Sequence, residues 1–158
     1  MSRIEMVTMV LAGLAVAAPG AAGAAPAGGS PAAVYAEECG SCHLAYPARF
    51  LPQASWEAGL AGLAQHFGTD ASVDPATLPL LRAHLGAGAR PVRPSDVRSD
   101  GSPLLAITEM RWFRHEHGWF DRHNAWKRPT IGSAANCGAC HLKAEQGTFD
   151  EDDIRVPK

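Results

Sequence analysis

The chain has 158 residues, with 14 Lys and Arg against 16 Asp and Glu, for a formal net charge of −2. That length holds one domain or two very small ones, and the charge balance supplies no basic field of the kind that binds nucleic acid. Hydrophobic residues at 46% and charged ones at 19% exclude wholesale disorder. Sixteen Gly and 12 Pro indicate many loops, and aromatics at 7% leave little material for a core made of protein alone.

Residues 1–24 read as an export signal. Arg3 precedes an uncharged stretch from Val7 to Ala18, Pro19 and Gly20 break it, and Ala22-Gly23-Ala24 fits an A-x-A cleavage site. The apolar run falls short of the about 20 residues that span a bilayer. The reading is therefore a cleaved chain of 134 residues, exported and not inserted in a membrane. Paired cysteines outside the cytoplasm ordinarily mean disulfides.

All four cysteines lie in two copies of one pattern: Cys39-Gly40-Ser41-Cys42-His43 and, 98 residues later, Cys137-Gly138-Ala139-Cys140-His141. C-x-x-C-H is the attachment signature of c-type haem. Two thiols three residues apart reach the two vinyl groups on one porphyrin edge, and the adjacent His falls beneath the ring to give iron a nitrogen. The slim Gly, Ser and Ala between the thiols let the turn lie against the macrocycle. A zinc knuckle needs its pairs much closer in sequence, a redox dithiol needs a βαβ thioredoxin unit, and a structural disulfide does not need His after each pair. The expectation is two covalently bound haem c groups, held by Cys39 and Cys42 and by Cys137 and Cys140, with His43 and His141 as iron ligands.

Between the first motif and the next element, Pro47 and Pro52 keep residues 44–54 in a loop. Ser55 is a good N-cap for a helix through about Phe67, closed by Gly68. Trp56, Leu60, Leu63 and Phe67 form its apolar stripe, with His66 at the edge. Three of the four Met lie in the export signal, so Met110 alone is left and at most one iron can take a Met ligand. His66 is therefore the candidate distal ligand of the first haem. A second helix runs from about Asp74-Pro75 to Leu85, with Pro79 delaying its regular part until about Leu78. Leu78, Leu81 and Leu85 share one face, and His84 points away into solvent.

Residues 86–103, rich in Gly, Pro and Arg, have a linker's composition. Beyond them, Thr108 is a candidate N-cap for a helix to His117, stopped by Gly118. Met110, Phe113 and His117 fall on its inward side. His117 is the candidate distal ligand of the second haem, with Met110 and His123 as alternatives, while His115 projects outward. Trp112, Trp119, Phe120 and Trp126 fit packing against a porphyrin. The acidic run Asp150 to Asp153 reads as solvated. The fold class expected is mostly α, in two small haem-wrapping domains over residues 25–88 and 104–158, joined by a linker over 89–103.

The chain resembles the small periplasmic dihaem cytochrome c family of bacteria. The resemblance rests on Glu38 through Pro47, on His66-Phe67-Gly68 followed by Asp74-Pro75-Ala76, and on Ile107-Thr108 through Trp112-Phe113 to His117. It continues through Ala135 to His141 and Gly147 to Asp150. It implies a class I cytochrome c-like first domain without the Met ligand and a more extended, loop-rich second domain. It also implies bis-His ligation of both haems, by His43 and His66 and by His141 and His117, at low potentials. The expected role is electron transfer in the periplasm, without catalysis, to a small oxygen-binding c-type cytochrome from a membrane cytochrome b. The alternative is a haem enzyme or gas sensor that keeps one iron site open.

Overall fold

The computed structural model describes residues 29–158. The expected export signal over residues 1–24 lies outside them. Five α-helices and a series of single 3₁₀ turns make up the regular structure, and no strand forms among the described residues, only isolated bridges. No helix among them is long and apolar enough to cross a membrane.

Helix α1 spans Pro31–Gly40 and delivers the first cysteine pair. Ser30 caps it, accepting from the Ala33 N–H at 3.3 Å, and Pro31 opens the first turn with no N–H to leave unpaired. This helix was not anticipated from the sequence, although Ser30-Pro31 is its start signal. It buries Val34 and Tyr35 against α3 (Leu78–Gly88), whose Leu81 and Leu85 are almost wholly enclosed. Helix α2 (Gln53–Ala61) adds Leu60 to the same core. Close approach matters at one end of this layer: a Cβ on Gly88 would lie 2.7 Å from the Ala48 Cβ.

The start of α3 at Leu78 fits the delay expected from Pro79. The other helix ends differ from expectation. Ser55 is not an N-cap: it sits inside α2, almost fully buried, with Pro52 at the cap position. Helix α2 stops at Ala61, and the chain turns through a 3₁₀ segment, Leu63–Gln65, so that His66 lies on a turn. Phe67 leaves the apolar stripe, standing 68% exposed at φ 49° with Gly68 at φ 88°. Two successive residues at positive φ reverse the chain, and Gly68 tolerates this without steric cost. Downstream, Thr108 lies within a 3₁₀ turn (Ile107–Glu109), and α4 (Arg111–Glu116) begins one residue after Met110. Gly118 does not end the helical run, because α5 (Gly118–Arg122) follows immediately. His84 is half-buried rather than solvated, its ring stacked on Tyr35 at 4.7 Å.

A second apolar cluster gathers Leu51, Met110 and Phe113, with Trp112 and Trp126 packed around it. Trp56 touches both clusters and so connects them. Residues 89–103 pack as a strap. Arg90 donates two hydrogen bonds to Asp96, at 2.6 and 2.8 Å, and the Asp96 carboxylate is 1% exposed. The same carboxylate accepts from the Arg93 N–H at 2.7 Å, and the Asp96 carbonyl accepts from the Leu104 N–H. The Arg90 N–H in turn reaches the Leu51 carbonyl, which fastens the strap to the loop after the first motif.

Candidate haem sites

The two C-x-x-C-H segments are built differently. Cys39 rides on the last turn of α1, and the chain leaves the helix through Ser41, whose hydroxyl donates to the Glu38 carbonyl at 2.8 Å. The second segment is a 3₁₀ turn, Cys137–Ala139, tightened by the His141 N–H donating to the Cys137 carbonyl at 2.8 Å. Antiparallel pairing with the C-terminal run holds it in place: the Arg155 N–H donates to the Cys140 carbonyl and the Leu142 N–H to the Asp153 carbonyl. The acidic stretch therefore backs the second motif.

No disulfide joins any two of the four cysteines. Burial, with Glu38 and Cys42 beside it, pushes the Cys39 thiol up to about 11, and burial also raises Cys137 and Cys140. A redox-active dithiol needs a lowered thiol pKa, so these surroundings oppose that chemistry. Among the described residues no group of three or more His, Cys, Asp or Glu side chains converges as a metal site, so the cysteine pairs do not meet around a shared zinc.

Each motif histidine faces one other histidine. The rings of His43 and His66 lie 6.2 Å apart, centre to centre, and those of His141 and His117 lie 6.1 Å apart. Two imidazoles on opposite sides of one metal, with metal–nitrogen bonds of about 2 Å and ring nitrogens about 1.1 Å from their centres, stand about 6 Å apart. The separations fit an iron between each pair. The tautomers fit as well. A backbone carbonyl only accepts, so the 2.7 Å contact to the Leu44 carbonyl fixes the proton on His43 Nδ1. A 3.0 Å contact to the Phe113 carbonyl does the same for His117 Nδ1. Each leaves Nε2 with a free lone pair and a fixed ring orientation. Burial, with the facing histidine next, lowers the pKa of His66 and of His141, which favours the neutral, ligating form.

The other candidates are engaged elsewhere. His115 is exposed and 3.1 Å from the Glu116 carboxylate. His123 packs on Trp119 at 4.5 Å. Met110 is completely buried, its sulfur 3.4 Å from the Arg90 guanidinium. Two aromatic residues back these histidines: Tyr46, which the sequence did not single out, and Phe113, expected on the inward side with His117. Tyr46 stacks on His43 at 5.0 Å, and Phe113 stacks on His117 at 4.2 Å. An aromatic three residues after the motif histidine was the available signal for Tyr46.

A mostly helical, loop-rich fold that presents two C-x-x-C-H segments, each with a second histidine across a metal-sized gap, defines a c-type cytochrome with more than one haem. The family model for dihaem cytochrome c matches residues 35–149. The chain is similar to the solved diheme cytochrome type c from Shewanella baltica OS155, with 38% identity over 80% of this chain and 94% of that one and a TM-score of 0.67. It is also similar to diheme cytochrome c from Rhodobacter sphaeroides, with 36% identity over 74% of this chain and 95% of that one and a TM-score of 0.63. No curated protein matches the chain. The chain belongs to the dihaem cytochrome c family and carries two covalently attached haem c groups with iron, a family whose role is electron transfer.

Proposed function

We propose that the protein is a periplasmic electron carrier whose two haems are both bis-His ligated and of low potential. When bound, each haem supplies a one-electron Fe(III)/Fe(II) couple. On this reading Cys39 and Cys42 hold the first haem and Cys137 and Cys140 the second, through thioether bonds. His43 and His66 give nitrogens to the first iron, and His141 and His117 to the second. The observation that carries the reading is the pair of imidazole separations, 6.2 and 6.1 Å, each joining a motif histidine to one partner. Two strong-field ligands at each iron leave no position for substrate, so electrons pass by outer-sphere transfer. His/His pairs also lack the thioether ligand that raises potential in His/Met cytochromes.

Residues 1–24 support export with cleavage, placing the mature chain in the periplasm. Its two haem-wrapping domains are residues 25–88, similar to class I cytochromes c, and the more extended 104–158, with 89–103 between them. The donor is a membrane cytochrome b and the acceptor a small oxygen-binding c-type cytochrome. The test is the ferrous holoprotein exposed to carbon monoxide. Unchanged six-coordinate low-spin bands at both haems support the carrier, and rapid binding at one haem per molecule assigns an open iron and overturns it.

A further inference from the structure

The two histidine pairs match in separation and differ in orientation. The rings of His43 and His66 are inclined by 22°, whereas those of His117 and His141 are inclined by 63°. We propose that Phe113 is a positioning residue: it sets the His117 imidazole across the plane of His141 and thereby gives the second haem a different electronic ground state from the first. The inference rests on the four-histidine ligation proposed above.

Phe113 grips His117 in two ways. Its carbonyl accepts both the His117 backbone N–H, at 2.9 Å, and the His117 Nδ1–H, at 3.0 Å. Its ring lies against the imidazole at 4.2 Å and 15° from parallel. Phe113 is itself buried, with Trp126 stacked at 6.0 Å and Trp112 edge-on at 5.9 Å. The imidazole cannot turn about its Cβ–Cγ bond without losing both the hydrogen bond and the stack. At the first site Tyr46 and the Leu44 carbonyl hold His43 in a comparable way, 21° from parallel with the tyrosine ring, but there the distal His66 lies nearly parallel to it.

Orientation matters because a neutral imidazole has one filled π orbital system perpendicular to its plane. Two near-parallel rings act on the same iron dπ orbital and separate it from its partner. Two crossed rings act one on each, leaving the pair close in energy. A low-spin ferric ion of the first kind gives a rhombic paramagnetic resonance spectrum. The second kind keeps more orbital angular momentum, and its largest g value rises. Axial ligands and their hydrogen bonds are levers by which a protein tunes a haem; here the lever is ring rotation.

The experiment is frozen-solution paramagnetic resonance of the fully oxidised, full-length holoprotein. Two low-spin signals are expected, one rhombic and one with a distinctly larger maximum g. His66→Ala should remove the rhombic signal and His117→Ala the large-g signal. Phe113→Leu should shift the large-g signal toward the rhombic position and leave the other unchanged. Two low-spin signals of the same type, or the opposite assignment from the histidine variants, overturn the inference while the ligation stands. An unchanged large-g signal in Phe113→Leu overturns the role of the Phe113 ring, since the variant keeps the backbone carbonyl that accepts from His117. A high-spin signal in the unmodified protein refutes the ligation itself. The unmodified spectrum and the histidine variants test the crossed planes without altering Phe113.

Discussion

The Tyr46 phenol donates a 2.8 Å hydrogen bond to the carbonyl of Ala135, 89 positions further along the chain. Its ring stacks on His43 at 5.0 Å, and Ala135 lies two residues before Cys137. One side chain thus joins the histidine of one motif to the approach of the other. Burial, with Cys137 beside it, pushes the phenol up to about 12, so it remains a donor throughout the neutral range. A second link runs parallel to it: Phe50 meets Phe149 edge-on at 4.8 Å, and Phe149 packs against His141 at 5.1 Å. The segment after the first motif is therefore the seam along which the two sites are held together.

Tyr46→Phe keeps the stack and removes the hydrogen bond. Stability should fall by about 1 kcal/mol, the net contribution of one ordinary hydrogen bond, with the visible spectra of both haems unchanged. Tyr46→Leu removes the stack as well and should cost about 1 kcal/mol more. Thermal unfolding of the three holoproteins, followed by circular dichroism, measures both steps. Equal stability in all three would show that Tyr46 does not join the sites.

The proposed distal ligands are separable by substitution. His66→Ala and His117→Ala should each produce a ferrous form that binds one carbon monoxide per molecule. His115→Ala and His123→Ala should leave both haems unreactive, since those rings face Glu116 and Trp119. Difference spectra on carbon monoxide addition score all four variants. Gas binding in His115→Ala and not in His117→Ala would move the assignment.

Local signals were legible in the sequence, and long-range ones were not. The C-x-x-C-H pairs, the Leu81 and Leu85 face of α3 and the inward set Met110, Phe113 and His117 all depend on neighbours within two helical turns. The end of α2 was not legible, because Leu63 and His66 suit a helix by periodicity while positive φ at Phe67 and Gly68 reverses the chain. The strap was hidden for the same reason. Its Gly, Pro and Arg content matches a linker, and only the fold brings Arg90 and Asp96 together and closes them over Met110. Composition records what a segment can do unaided; burial depends on what lands on it.

Gly88 reports on the first core. It ends α3, where replacing Gly by Ala usually favours a helix by roughly 0.5–1 kcal/mol. Here a new Cβ would stand 2.7 Å from the Ala48 Cβ, a short side chain with no rotamer by which to yield. Overpacking costs about 1–3 kcal/mol, so Gly88→Ala should destabilise the protein by about 1 kcal/mol net. Denaturant unfolding of the holoprotein checks the sign, and a stabilised variant would show that α3 and the turn at Ala48 are not in close contact.

Asp96 makes stability depend on pH. The Arg90 guanidinium, 2.6 and 2.8 Å away, holds its carboxyl below the ordinary carboxylate range; burial opposes this, and the Arg93 N–H adds to the lowering. A folded pKa below the unfolded one means the carboxylate stabilises the fold fully above about pH 4, the unfolded value. That stabilisation is lost as pH falls through the folded value. Asp96→Asn leaves Arg90 mostly buried without its counter-charge and should cost about 3 kcal/mol at neutral pH. The variant has no titrating group at this position, so its midpoint should fall less than that of the unmodified protein between about pH 5 and pH 3. The exposed Asp70 and Asp100, lowered by hydrogen bonds from Ser72 and Ser102, titrate alike in both proteins and cancel in the comparison. Thermal midpoints across that pH range decide the matter: parallel curves would mean that the strap is not held by the Asp96 charge.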